Sequence, residues 1–187
     1  MGKAYVFLAE DFEVTEALTT IDILRRAEID TISVSLTGER TVTGAPAVPV
    51  LADALFCDVR VEDIDIIILP GGPGTEHYYA YPALLELVTA HAKAGNLIAA
   101  ICAAPAVFAR LGLLSGKAAV CYPAAHLQQI LRENGAVLSE NMVKHDGSII
   151  TGKGPGTTPF FALEIVRAMV GDDTAESVKQ AFLLDFV

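Results

Sequence analysis

Five apolar residues, Leu97-Ile98-Ala99-Ala100-Ile101, run without a break into Cys102, and Ala103-Ala104-Pro105 then open a helical pattern. A strand that is apolar at every position has no face to give to water. It belongs in a parallel sheet covered on both sides. Pro105 suits the first turn of a helix, where its missing N–H costs nothing. Cys102 therefore falls where a central strand ends and a helix begins. The carboxyl ends of parallel strands are where open α/β sheets place their ligands. Helix amides at such a junction favour a thiolate over a thiol. The chain is expected to be organised around this cysteine as a reactive group.

The rest of the chain repeats the same alternation. Ala4–Leu8 reads as a first buried strand, and Val14, Ala17, Leu18, Ile21 and Leu24 follow at helical spacing, with Arg25 and Arg26 near the helix end. Thr31–Leu36 reads as a second strand, and Thr41–Leu51 as a hairpin that Pro46 and Pro49 keep at an edge. Ile64–Leu69 is a third buried strand running into the side-chain-poor loop Pro70-Gly71-Gly72-Pro73-Gly74-Thr75, and Pro82–Lys93 is a helix stopped by Gly95-Asn96. After the Cys102 strand, a helix is expected to end near Gly112. A short strand Ala118–Cys121 and a helix His126–Asn134 follow. Strands are expected at Ala136–Leu138, Met142–Lys144 and Ser148–Thr151, with His145-Asp146-Gly147 turning between the last two. Thr158–Val170 closes the series as a long helix, with a further helical stretch at Ala175–Gln180. Strands alternating with helices predict an α/β fold with a mostly parallel central sheet between two helical layers.

Length and charge narrow the classes. At 187 residues the chain is expected to be one domain, 1–187, and its 52% hydrophobic and 19% charged residues exclude a disordered polymer. No apolar run has bilayer length, and the acidic start Glu10-Asp11 follows too soon for a signal peptide. Three cysteines without paired spacing fit a reducing cytoplasm. A net charge of −10 argues against nucleic acid or anionic lipid as a partner.

Few residues carry chemistry. Cys102 is the candidate nucleophile, whereas Cys57 and Cys121 lack its setting and read as structural or incidental. Glu16 lies near the start of the first helix, at the margin of its buried face. Pointing over the sheet it would meet Cys102, and partial burial would raise its pKa into the range of a proton shuttle. The amides of Gly71 and Gly72 sit beside the nucleophile's strand, as an oxyanion hole requires. Gly152-Lys153-Gly154-Pro155-Gly156-Thr157 fails as a phosphate loop because Gly154 stands where Ser or Thr is required, although Lys153 could face the site. His91 on a helix and His145 in a turn read as solvated, while His126 could approach the cysteine by way of Tyr122-Pro123. No His or Cys spacing matches a metal site.

Leu69-Pro70-Gly71-Gly72, Ala100-Ile101-Cys102-Ala103-Ala104-Pro105 and Gly154-Pro155-Gly156-Thr157 together resemble the ThiJ/PfpI family of the class I glutamine-amidotransferase-like superfamily. Glu13-Val14-Thr15-Glu16-Ala17 is similar to the first helix of the branch that holds the Parkinsonism-associated deglycase and its bacterial relatives. The resemblance implies a flavodoxin-like three-layer sandwich, a homodimer and no cofactor or metal. It implies a reactive Cys102 contacted by Glu16, and oxyanion amides at Gly71, Gly72 and Ala103; Tyr122 and His126 are auxiliary candidates from their own positions in the chain. The activities it implies are those of a cofactor-free glyoxalase or deglycase acting on small aldehydes or glycated substrates. The alternatives are an oxidation sensor and a stress-response chaperone. Two departures matter. Tyr122 stands where that branch commonly has histidine, and a phenol is a poor base at neutral pH. Ala103 stands where the protease-like branch has histidine, which argues against a peptidase.

Overall fold

The computed structural model describes residues 2–186. Its elements in chain order are β1 (Lys3–Leu8), α1 (Val14–Arg26), β2 (Asp30–Ser35), β3 (Thr41–Gly44), β4 (Val48–Leu51), β5 (Ala54–Leu55), β6 (Ile66–Leu69), α2 (Thr75–Tyr78), α3 (Pro82–Lys93) and β7 (Leu97–Ile101). They continue with α4 (Pro105–Arg110), β8 (Ala118–Ala119), α5 (Ala125–Glu133), β9 (Val137–Leu138), β10 (Val143–Asp146), β11 (Ile149–Gly152), α6 (Thr158–Val170) and α7 (Asp172–Ala181). No helix among the described residues is long and apolar enough to cross a membrane.

Seven strands form one sheet in the order β10-β11-β7-β6-β1-β2-β5, and every neighbour pair is parallel except β10 with β11. This is the α/β sandwich that the alternation predicts, in the flavodoxin-like form that the family resemblance implies. Successive side chains of a strand point to opposite faces, and here both faces are covered. Val6, Leu8, Ile66, Ile68, Ala99 and Ile101 pack with residues of α1 and α6 on one side. Tyr5, Phe7, Ile67, Leu69, Ile98 and Ala100 pack with residues of α3, α4 and α5 on the other. That is why the central strands carry no polar alternation. The chain leaves β1 towards β2 on one side and returns to build β6 and β7 on the other. The strand order therefore reverses between β1 and β6, beside Cys102 at the end of β7.

Several local expectations need correction. The 118–121 strand is only two residues long. It pairs with β9 in a separate two-stranded sheet, since Asp146 and Thr151 side chains take the amides of Ala118 and Val120. The last hairpin turns at Gly147-Ser148, because Asp146 pairs with Ile149 and puts His145 inside β10 opposite Ile150. The hairpin β3–β4 forms as expected, away from the main sheet, but β5 and α2 carry no period long enough to read.

Candidate active site

At the end of β7 the backbone bends sharply. Cys102 has φ +64°, a left-handed conformation that costs a side-chain-bearing residue about 1–3 kcal/mol. Neighbours hold it there: the Cys102 N–H donates to the Gly152 carbonyl at 2.9 Å, and the Tyr122 N–H donates to the Cys102 carbonyl at 2.8 Å. The bend takes the side chain away from the strand's alternation, leaving the residue 8% exposed. The amides of Gly72 and Ala103 face the sulfur and favour its ionised form.

Glu16 meets this sulfur from α1. Its carboxyl is fully buried, and Oε2 accepts the Gly71 N–H at 2.8 Å. Oε1 has no hydrogen-bond partner among the described residues; the Cys102 thiol is the titratable group beside the carboxyl. Burial pushes the Glu16 pKa from 4.5 to about 7, against the stabilising Gly71 N–H and Cys102 thiol. The expectation that helix amides hold a resting thiolate meets an opposing effect. Burial, with the Glu16 carboxylate beside it, pushes the thiol up to about 12 despite the two amides. The helix that follows is also only six residues long. Two acids in this contact share protons: once Glu16 ionises, its charge keeps the remaining proton on sulfur.

The glycine loop is shaped by this contact. A Cβ at Gly71 would stand 2.7 Å from the Cys102 Cβ and 2.8 Å from the Ile101 carbonyl oxygen, so no side chain fits. Gly72 has φ +91° and would clash with the Glu13 nitrogen at 2.5 Å. Because the Gly71 N–H is already given to Glu16, the oxyanion role expected of it is withdrawn, leaving Gly72 and Ala103. Tyr78 supports the loop from below. Its buried hydroxyl lies 2.9 Å from the Pro70 carbonyl and 3.0 Å from that of Phe7, tying the ends of β6 and β1. Nothing in the local sequence marks this role, since an inward-facing tyrosine reads as core.

The auxiliary candidates divide. Tyr122 is 46% exposed, and its ring lies against Gly154, where a Cβ would approach Cδ2 to 3.2 Å. Its backbone touches Cys102, and its hydroxyl makes no hydrogen bond among the described residues. His126 is exposed on the first turn of α5 and makes no hydrogen bond to any residue of the site, so the structure does not bring it to the cysteine. The remaining histidines also depart from expectation: His91 is 5% exposed rather than solvated, and His145 bridges Glu164 and the Gly147 carbonyl, each at 2.9 Å. Among the described residues no three His, Cys, Asp or Glu side chains cluster as metal ligands.

Comparison with known proteins follows the same residues. Residues 2–168 match the model of the DJ-1/PfpI family. Protein dj-1beta of Drosophila melanogaster is 34% identical over 185 residues, 98% of each chain. Glutathione-independent glyoxalase DJR-1.2 of Caenorhabditis elegans is 34% identical over 178 residues, 94% of this chain and 92% of the relative. Among solved structures, Drosophila melanogaster DJ-1beta superposes with a TM-score of 0.91 at 34% identity over 97% of both chains. The C103A mutant of the DJ-1 superfamily protein STM1931 from Salmonella typhimurium gives 0.90 at 35% identity over 98% of both.

Proposed function

Since the chain belongs to the DJ-1/PfpI family, we propose that it is a cysteine-dependent, cofactor-free enzyme acting on small reactive carbonyls in the manner of a glyoxalase or deglycase. The observation that carries this reading is the fully buried Glu16 carboxyl, close enough to the Cys102 thiol for each to shift the other's titration. One relative of similar length is named a glutathione-independent glyoxalase.

The pair solves the problem that its raised pKa values create. A free thiolate is costly here while Glu16 is ionised. Transfer of the thiol proton to Glu16 removes the opposing charge as the sulfur becomes nucleophilic. The thiolate adds to the aldehyde carbon of a 2-oxoaldehyde. A C–S bond forms, and the carbonyl π pair moves to oxygen, where the Gly72 and Ala103 amides can donate. Glu16 then protonates that oxygen, giving a hemithioacetal and a carboxylate. The carboxylate removes the proton from the former aldehyde carbon and returns it to the adjacent one, while the hydroxyl proton passes to the neighbouring ketone oxygen, giving a 2-hydroxy thioester. Water cleaves the C–S bond, releasing the hydroxy acid and restoring the thiol. A glycated substrate would enter through the same addition. Incubation with methylglyoxal should yield lactate, and Cys102→Ala should abolish it; a variant as active as the parent overturns the reading.

The same amides favour a second reading, an oxidation sensor. A peroxide that converts the Cys102 thiolate to a sulfinate would place new oxygens beside the Gly72 and Ala103 N–H groups and the Glu16 carboxyl. Mass spectrometry after mild peroxide decides it: oxidation of Cys57 or Cys121 before Cys102 counts against a sensor. A homodimer belongs to the proposal as well. Exposed Leu18 on α1 and Val48 and Leu51 on β4 supply apolar surface for it, and a monomeric sedimentation coefficient would refute it.

A further inference from the structure

Cys121 was expected to be structural or incidental, yet it lines a small pocket of about 100 Å³ between the segment after β8, helix α5 and the loops after β9 and β11. The volume is roughly three times the ~30 Å³ share of one water. Arg132, Lys153, Gln128, Ser139 and Glu140 share the wall. The thiol residue is 3% exposed, and the sulfur has no hydrogen-bond partner among the described residues.

Two cations and one carboxylate, that of Glu140, line this cavity. Arg132 and Lys153 make no ion pair among the described residues. Lys153 Nζ donates to the Glu140 carbonyl at 2.7 Å, and an Arg132 Nη donates to Gln128 Oε1 at 3.4 Å. Both cations act on the Cys121 thiol, partly offsetting the burial that raises its pKa, and no carboxylate acts beside them. The neutral donors complete the set. Ser139 Oγ accepts the Asn141 N–H at 3.3 Å and keeps its own proton to give, and Gln128 Nε2 is uncommitted. Glu140 and Arg132 are both exposed to water, which screens their charges alike, and Lys153 is half-buried.

We propose that this cavity binds a small oxyanion, held by the Arg132 guanidinium and the Lys153 ammonium, with Ser139 and Gln128 as neutral donors. Inorganic phosphate and a short carboxylate such as lactate share the required chemistry. The site is separate from the Cys102–Glu16 pair and does not depend on the carbonyl reaction.

The test is a titration of the full-length ¹⁵N-labelled protein, followed by amide and side-chain NMR shifts. Inorganic phosphate and lactate form separate series, each against sodium chloride at matched ionic strength. Saturable shifts centred on Ser139, Glu140, Lys153 and the Gln128 side chain are expected in at least one series, and the series that saturates identifies the oxyanion class. Lys153→Gln and Arg132→Gln should each weaken binding about tenfold or more. Shifts that rise linearly with salt, scatter over the surface, or persist unchanged in both variants would overturn the site. Should a variant lose its dispersed spectrum, the parent titration alone decides.

Discussion

Replacing Glu16 by glutamine isolates the buried carboxyl. Glutamine keeps the shape and an oxygen for the Gly71 N–H, but it has no proton to lose. In the native protein Glu16 titrates at about 7 against 4.5 when free. Between those values the folded state holds a proton that the unfolded chain has released. Parental stability therefore falls as pH rises through that window and levels off above it. At 1.36 kcal/mol per pH unit, the full gap is about 3 kcal/mol. From pH 5, which stays above the sequence pI of about 4.7, to pH 8, the accessible part is roughly 2 to 3 kcal/mol. Urea unfolding of parent and Glu16→Gln across that range should give a stability difference that moves in the variant's favour by this amount, with unchanged m values. Titrating groups other than Cys102, which Glu16 itself perturbs, are common to both chains and cancel. Parallel pH profiles, or a parent that gains on the variant as pH rises, would refute the burial of an ionisable carboxyl at this position. A second readout follows from the same change. With the carboxylate charge gone, the Cys102 thiol should be alkylated with a midpoint below its parental value of about 12.

Three further outcomes are expected. Gly71→Ala forces a methyl to within 2.9 Å of the Ala103 nitrogen as well as the Cys102 Cβ, so it should lose about 1–3 kcal/mol of stability and most of the activity. An unchanged melting temperature with full lactate formation would show that the loop has room. Tyr122→Phe should keep lactate formation within about twofold, because the hydroxyl has no partner; a loss in the ~10²-fold range of general acid–base catalysis would make the phenol a participant. His91, buried with its Nε2 unpartnered, has its pKa held below the free value of 6.5 by desolvation. Native stability should fall as pH drops below 6.5, where only the unfolded chain takes up the proton. His91→Leu should flatten this part of the melting-temperature profile, and a variant that tracks the parent would sink the account.

Much of the fold could be read from local pattern. A strand buried on both faces must be apolar throughout, so β1, β6 and β7 announce themselves. Helices 82–93 and 158–170 lie within the expected bounds because proline opens them and glycine follows. The elbow at Cys102 was legible for the same reason, since an apolar strand, a thiol and a proline occupy adjacent positions. Short elements were not. Two-residue strands and the four-residue α2 carry no period, and the turn at Gly147 depended on cross-strand register.

Residue order alone determined the layers, the strand ends and the cysteine's place among them, because period and burial are written within a dozen neighbouring positions. Tertiary structure alone decided the chemistry of that place. The Gly71–Glu16 hydrogen bond spans 55 residues, and the Tyr78 hydroxyl reaches a carbonyl 71 residues away. Whether a thiol is lowered by amides or raised by burial depends on which distant segments displace water from it. Here α1 covers the sulfur with a carboxyl, and desolvation outweighs the donors. The same dependence buried His91 and left His126 in solvent, although both are histidines on helices.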